Sequence, residues 1–132
     1  MDQWKALLVD DEEEFVNTLG ERLQLRGIET MIATDGQEAL AIIRSDRPQV
    51  VVLDIMMPGV SGLEVLRRIK EDFPGIEVIL LTGRGTTKEG IEGMNLGAFD
   101  FLMKPVKIEE LIPKMLEARE KAKGHTKDDR GL

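Results

Sequence analysis

The chain has 132 residues, enough for one domain with its own core, and a net charge of −7 from 25 acidic and 18 basic residues. That acidic balance disfavours direct nucleic-acid binding, which needs clustered Lys and Arg. The lack of cysteine excludes disulfides, thiolate metal sites and Cys nucleophiles, and no apolar run approaches the roughly 18 residues of a membrane span. The opening residues Met1 to Lys5 do not have the basic-then-apolar layout of a signal peptide, so a cytoplasmic location is expected.

Short β-branched runs alternate with longer helical patterns. Ala6 to Val9 is a strand run that ends in Asp10-Asp11, and Phe15, Leu19 and Leu23 then recur at helical spacing until Gly27 closes the helix. Ile28 to Ala33 reads as a second strand, half-polar and therefore near a sheet edge. A second helix over residues 35–45 carries Ala39, Leu40 and Ile43 on one face. Val50 to Leu53 is apolar at every residue, as in a parallel strand covered on both faces. Pro58-Gly59 breaks the chain, and Ser61 with Glu64 offers a capping box for a third helix bearing Leu63, Leu66 and Ile69. Val78 to Leu81 is the fourth strand. Thr86 and Glu89 offer another cap for a helix to about Asn95, weakened by Gly90 and Gly93 at roughly 0.5–1 kcal/mol each. Phe99 to Met103 is the fifth strand, and Ile108, Leu111, Ile112 and Met115 make the last helix amphipathic. Pro113 inside that helix predicts a kink near residues 109–113. Residues 1–123 thus read as one domain, and 124–132 as a flexible tail.

Five strand-then-helix repeats predict an α/β fold: a doubly wound, five-stranded parallel sheet of order 2-1-3-4-5, with its ligand crevice at the carboxyl ends of the strands. Asp10 and Asp11 follow strand one, Asp54 strand three, Thr82 strand four and Lys104 strand five. Three carboxylates brought together must shift their pKa values or recruit a cation, and a hard cation such as Mg²⁺ (or Mn²⁺) with oxygen ligands is the natural solution. Lys104 supplies a point charge suited to phosphate, and Thr82 a hydroxyl donor. Asp54, at the end of the most apolar strand, is the best nucleophile, and its attack on phosphorus would give an acyl phosphate. Singly, each residue has a duller reading. Asp11 can be a helix cap with Glu12 to Glu14 favouring the helix dipole, Thr82 a loop hydroxyl and Lys104 a surface cation. Their joint placement at successive strand ends argues against these.

The sequence resembles the receiver domain of two-component response regulators, the CheY-like superfamily with a flavodoxin-like fold, over roughly residues 5–120. The resemblance rests on Leu8-Val9-Asp10-Asp11-Glu12, on Val52 to Gly59 with Gly62, on Leu81-Thr82-Gly83, and on Gly97 to Pro105. The strand order given above is itself characteristic of receiver domains, so topology and family are not independent expectations. The resemblance implies that Asp54 is the phosphoacceptor, that Asp11 ligates the metal directly and Asp10 partly through water, and that the backbone carbonyl of Met56 completes the set. It further implies that Lys104, Thr82 and the backbone of Gly83 bind the phosphoryl group, that the Lys104–Pro105 bond is cis, and that Thr82 and Phe101 form a switch pair. Met56 and Arg84 flank the expected path of the attacking water and would tune the phosphoryl lifetime. The implied donor is a histidine kinase, a phosphotransfer protein or acetyl phosphate. The implied output is a downstream effector protein that reads the fourth helix, fifth strand and fifth helix. Such a domain catalyses only its own phosphorylation and slow dephosphorylation, and is expected as a monomer or weak dimer.

Two other classes fit less well. A haloacid-dehalogenase-like phosphatase needs a second Asp two residues after the nucleophile, where Met56 stands. A flavodoxin-like FMN binder needs a hydroxyl- and glycine-rich loop after strand one, where Asp10 to Glu14 would repel phosphate. No Gly-x-x-x-x-Gly-Lys-Ser/Thr occurs, so ATP is not expected as the direct donor.

Overall fold

The computed structural model describes residues 4–83 and 87–131, with side chains from 4–83 and 88–124. Strands β1 (Lys5–Val9), β2 (Glu29–Ala33), β3 (Val50–Asp54), β4 (Glu77–Thr82) and β5 (Asp100–Met103) alternate with helices α1 (Glu13–Leu25), α2 (Gly36–Asp46), α3 (Gly62–Asp72), α4 (Thr87–Asn95) and α5 (Ile108–Gly131). The strands pair in parallel in the order β2-β1-β3-β4-β5, as the repeat pattern predicts.

Alternation along each strand divides the core between the two faces of the sheet. Leu7, Val9, Val51, Leu53, Val78 and Leu80 point to one cluster with α2 and α3. Ala6, Leu8, Val50, Val52, Ile79 and Leu81 point to the other, with α1 and α5. The central strands β3 and β4 are buried at every residue, whereas β2 and β5 are partly exposed, as edge strands must be.

Local chemistry sets the element ends. Asp35 caps α2 by accepting from the Glu38 N–H at 2.8 Å, and Ser61 caps α3 by accepting from the Glu64 N–H at 3.2 Å. The expected capping box at α3 is half formed. The Glu64 carboxylate turns to Arg67 and Arg68 instead, because two guanidinium groups on the same face offer more than one backbone N–H. Gly27, at φ +83°, ends α1 as expected. The caps expected at Thr86 lie outside the described residues.

Gly90 and Gly93 have a packing reason. A Cβ on Gly90 would sit 3.1 Å from the Phe101 ring, and one on Gly93 only 2.1 Å from Leu80 Cδ1. Low helix propensity in α4 is therefore the cost of bringing it close to β4 and β5. Helix α5 runs through Pro113 and continues to Gly131, past Gly124 where the sequence reading ends it. Ala, Glu, Lys and Arg dominate residues 117–123, and a single glycine costs only about 1 kcal/mol against them.

The pole of the sheet at the amino ends of the strands carries a buried carboxylate with two lysine partners that local pattern does not announce. Glu77, fully buried at the start of β4, lies 3.6 Å from Lys70 of α3 and 3.8 Å from Lys121 of α5. Nearby, the Arg119 guanidinium stands 5.3 Å from the Trp4 ring centroid, and Ala118 and Ala122 are buried. Residues 118–122 of α5 are thus held to the domain.

Gly62 marks the tightest approach to backbone atoms. A Cβ there would lie 2.2 Å from the backbone oxygen of Asp54 and 2.7 Å from Ile55 Cα. Gly62→Ala is expected to destabilise the fold by roughly 1–3 kcal/mol, whereas Gly124→Ala, with nothing within 4 Å, is expected to be neutral or stabilising. Urea unfolding of both variants checks the contrast, and equal midpoints would contradict it.

Candidate phosphorylation and metal site

The carboxyl ends of β1, β3, β4 and β5 bring the predicted residues together. Asp54, the last residue of β3, is buried, as is Asp10 just after β1; Asp11 is exposed at the rim. One carboxylate oxygen from each of Asp10, Asp11 and Asp54 lies within 4.8 Å of the others. Asp11 does not cap α1. That position belongs to Glu12, whose side chain makes no capping bond, while Asp10 Oδ1 accepts from the Glu12 N–H at 2.9 Å.

Lys104 reaches into this group. Its Nζ is 2.7 Å from Asp10 Oδ2, 2.9 Å from Glu12 Oε1 and 3.7 Å from Asp54 Oδ1, and 5.0 Å from the Phe15 ring centroid. The Lys104 N–H donates to the Thr82 carbonyl at 2.8 Å, which locks residue 104 to the end of β4. The Lys104–Pro105 bond is cis, as the resemblance implies. Thr82 is buried as the last residue of β4. Gly83 follows it at the edge of the site. The Met56 backbone amide favours the charged form of the Asp54 carboxylate, so the Met56 peptide borders the site, while Met56 itself is 60% exposed. Phe101 lies further back, half-buried against Gly90 of α4. Arg84 lies outside the described residues.

The electrostatics follow from this crowding. Burial, and then the charge of Asp10, push the Asp54 carboxyl up from 3.8 to about 6, against the opposing pull of Lys104 and the Met56 N–H. Burial works against the Lys104 charge, but its bonds to Asp10 and Glu12 and the field of Asp54 outweigh that and push it up to about 12. The trio of carboxylates is a wholly oxygen donor set facing one ammonium within the site, which fits a hard divalent cation. Glu12 and Phe15, which contact Lys104, are the functional neighbours that the sequence reading missed. The acidic run at residues 10–14 was visible, but nothing local signals a contact that spans 92 positions.

With this geometry in place, the relatives identify the class. Residues 6–116 match the family model of the response regulator receiver domain. The chain is 40% identical over 111 residues to the response regulator MprA of Mycolicibacterium vanbaalenii, covering 84% of this chain and 48% of that protein. Among solved structures it resembles a response regulator receiver domain protein from Clostridium thermocellum (TM-score 0.87, 34% identity, 91% and 97% of the two chains). It also resembles the receiver domain of NtrX from Brucella abortus (TM-score 0.84, 35% identity, 88% and 98%). The chain belongs to the response regulator receiver domain family of two-component signalling. It spans about half the length of the response regulators named MprA that it matches. Among the described residues no helix is long and apolar enough to cross a membrane.

The raised Asp54 pKa has a measurable consequence in metal-free protein. Well below pH 3.8 the carboxyl is protonated in both folded and unfolded chains, and no penalty exists. As pH rises from 3.8 to about 6 the unfolded chain releases the proton first, so stability falls, and the penalty is complete above the folded pKa. At about 1.36 kcal/mol per pKa unit it reaches roughly 3 kcal/mol. Asp54→Asn is therefore expected to be the more stable protein in EDTA at about pH 8, with the advantage shrinking as pH falls through about 6 and gone near about pH 3. Urea unfolding of both proteins checks this, and a gap independent of pH would contradict it.

Proposed function

We propose that this domain accepts a phosphoryl group on Asp54 from a histidine kinase, a phosphotransfer protein or acetyl phosphate, and relays the change to a downstream effector protein through α4, β5 and α5. The observation that carries this reading is the buried Asp54 at the end of β3, clustered with Asp10 and Asp11 and faced by Lys104. Asp54 would attack phosphorus through a carboxylate oxygen as the bond to the donor's leaving group breaks. Lys104, the Thr82 hydroxyl and the Gly83 N–H would share the phosphoryl oxygens. Asp10, Asp11, Asp54 and the Met56 carbonyl would hold Mg²⁺ or Mn²⁺, which when bound supplies positive charge to the oxygens that gain charge in the transition state. The exposed Met56 side chain would limit water access and lengthen the phosphoryl lifetime, together with Arg84. The domain would catalyse no turnover beyond its own phosphorylation and slow hydrolysis. It would work in the cytoplasm as a monomer or weak dimer.

Asp54→Asn is expected to lose phosphorylation and keep the fold, because the amide is nearly isosteric but a poor nucleophile. Intact mass after acetyl phosphate and Mg²⁺ is the test, and a persistent phospho-adduct would show another acceptor. Asp11→Ala should also lose the Mg²⁺-dependent rise in melting temperature.

For the relay, the Thr82 hydroxyl would donate to the new dianion, and Phe101 would move into the space left behind. Phe101 already packs on Gly90, so α4 would feel the displacement. With no hydroxyl to strand, the Phe101 ring meets less resistance to burial than a tyrosine would. Amide NMR with beryllofluoride as phosphoryl mimic should show shifts in residues 88–95 and at Phe101. Shifts confined to the metal site would overturn this route.

A further inference from the structure

The Lys104 ammonium has two kinds of partner. Asp10 and Asp54 belong to the carboxylate trio, but Glu12 does not, and its role is unassigned. Glu12 occupies the cap position of α1, where a side chain ordinarily accepts from the first backbone N–H groups of the helix. It makes no such bond and reaches across to Lys104 at 2.9 Å. The backbone is set for this reach. Glu12 is extended at φ −84° and ψ 94°, and its N–H is fixed by Asp10 Oδ1. Phe15, one turn along α1, places its ring 5.0 Å from the same ammonium.

We propose that Glu12 is a positioning residue for phosphoryl transfer: its carboxylate holds the Lys104 ammonium in the unphosphorylated domain and releases it to the incoming phosphoryl group. The inference rests on Asp54 being the acceptor. Glu12 is 66% exposed on its side chain, whereas Asp10 is 1% exposed, so the Glu12 contact is the weaker and more readily exchanged of the two. An incoming dianionic donor meets a lysine that is partly engaged and a carboxylate that repels it. Removing that carboxylate should ease donor binding while leaving the bond-making step, which Asp54 performs, unaltered.

The experiment compares the wild type, Glu12→Gln and Glu12→Asp in phosphorylation by acetyl phosphate at saturating Mg²⁺, read by intact mass over time. Glu12→Gln is expected to lower the half-saturating acetyl phosphate concentration about threefold with the maximal rate nearly unchanged, as suits an exposed ion pair. Glu12→Asp keeps the charge but loses one methylene of reach, and should fall between the two. In a Lys104→Met background the Glu12→Gln effect should vanish, because the partner is gone. An independent readout is the ¹⁵Nζ resonance of Lys104 in metal-free protein, which should move in Glu12→Gln. An unmoved Lys104 resonance, or a donor effect that persists in Lys104→Met, overturns the proposal. A phospho-adduct retained in Asp54→Asn would instead overturn the acceptor assignment, and the Lys104 resonance would still decide the holding contact.

Discussion

Like charges in a confined, poorly hydrated space govern this domain. Asp10 and Asp54 are buried within a few ångströms of each other, with Asp11 at the rim, and the fold supplies one ammonium among them. Neither burial nor mutual repulsion favours the ionised state. The sheet nevertheless forces the approach, because parallel pairing of β1 with β3 sets Val9 beside Leu53 and leaves both acids at the same edge. A site built under such tension is ready for any change that adds positive charge or draws charge away. The all-oxygen donor set suited to a hard cation, the raised pKa of Asp54 and the grip on Lys104 all follow from it.

Strand β4 joins the two poles of the molecule. At one end Glu77 meets Lys70 and Lys121; at the other Thr82 ends beside the carboxylate site and binds the Lys104 N–H through its carbonyl. A strand buried at every residue and secured at both ends has little freedom to shift as a whole. Its neighbours are less fixed: α4 is short and carries Gly90 and Gly93, and Phe101 is half-buried on the sheet edge.

Much of this was legible in residue order because apolar runs and their stops carry the signal. Val50 to Leu53 followed by Asp54, and Leu81-Thr82 after an apolar run, place the acid and the hydroxyl at strand ends before any coordinate is known. Gly62 was visible as part of a motif, but its reason, a backbone oxygen 2.2 Å from where a Cβ would be, is a tertiary fact. β4 begins one residue earlier than its apolar run, at Glu77, because lysines from α3 and α5 make the burial of that acid tolerable. Glu12 was read with Glu13 and Glu14 as a helix-dipole run, and its partner lies on the last strand-end loop. Such pairings come from topology, which periodicity implies only in outline.

The contact between Trp4 and Arg119 has an optical consequence. The chain has one tryptophan, seated at the amino end of β1 against α5, with the whole length of the sheet between it and Asp54. Indole emission depends on its immediate surroundings, and here those are a guanidinium and the flank of the last helix. Intrinsic fluorescence therefore follows the seating of α5 on the pole, not direct contact with ligands at the acidic edge. Detachment of that helix, by truncation or by a partner that pulls on it, becomes visible without a label.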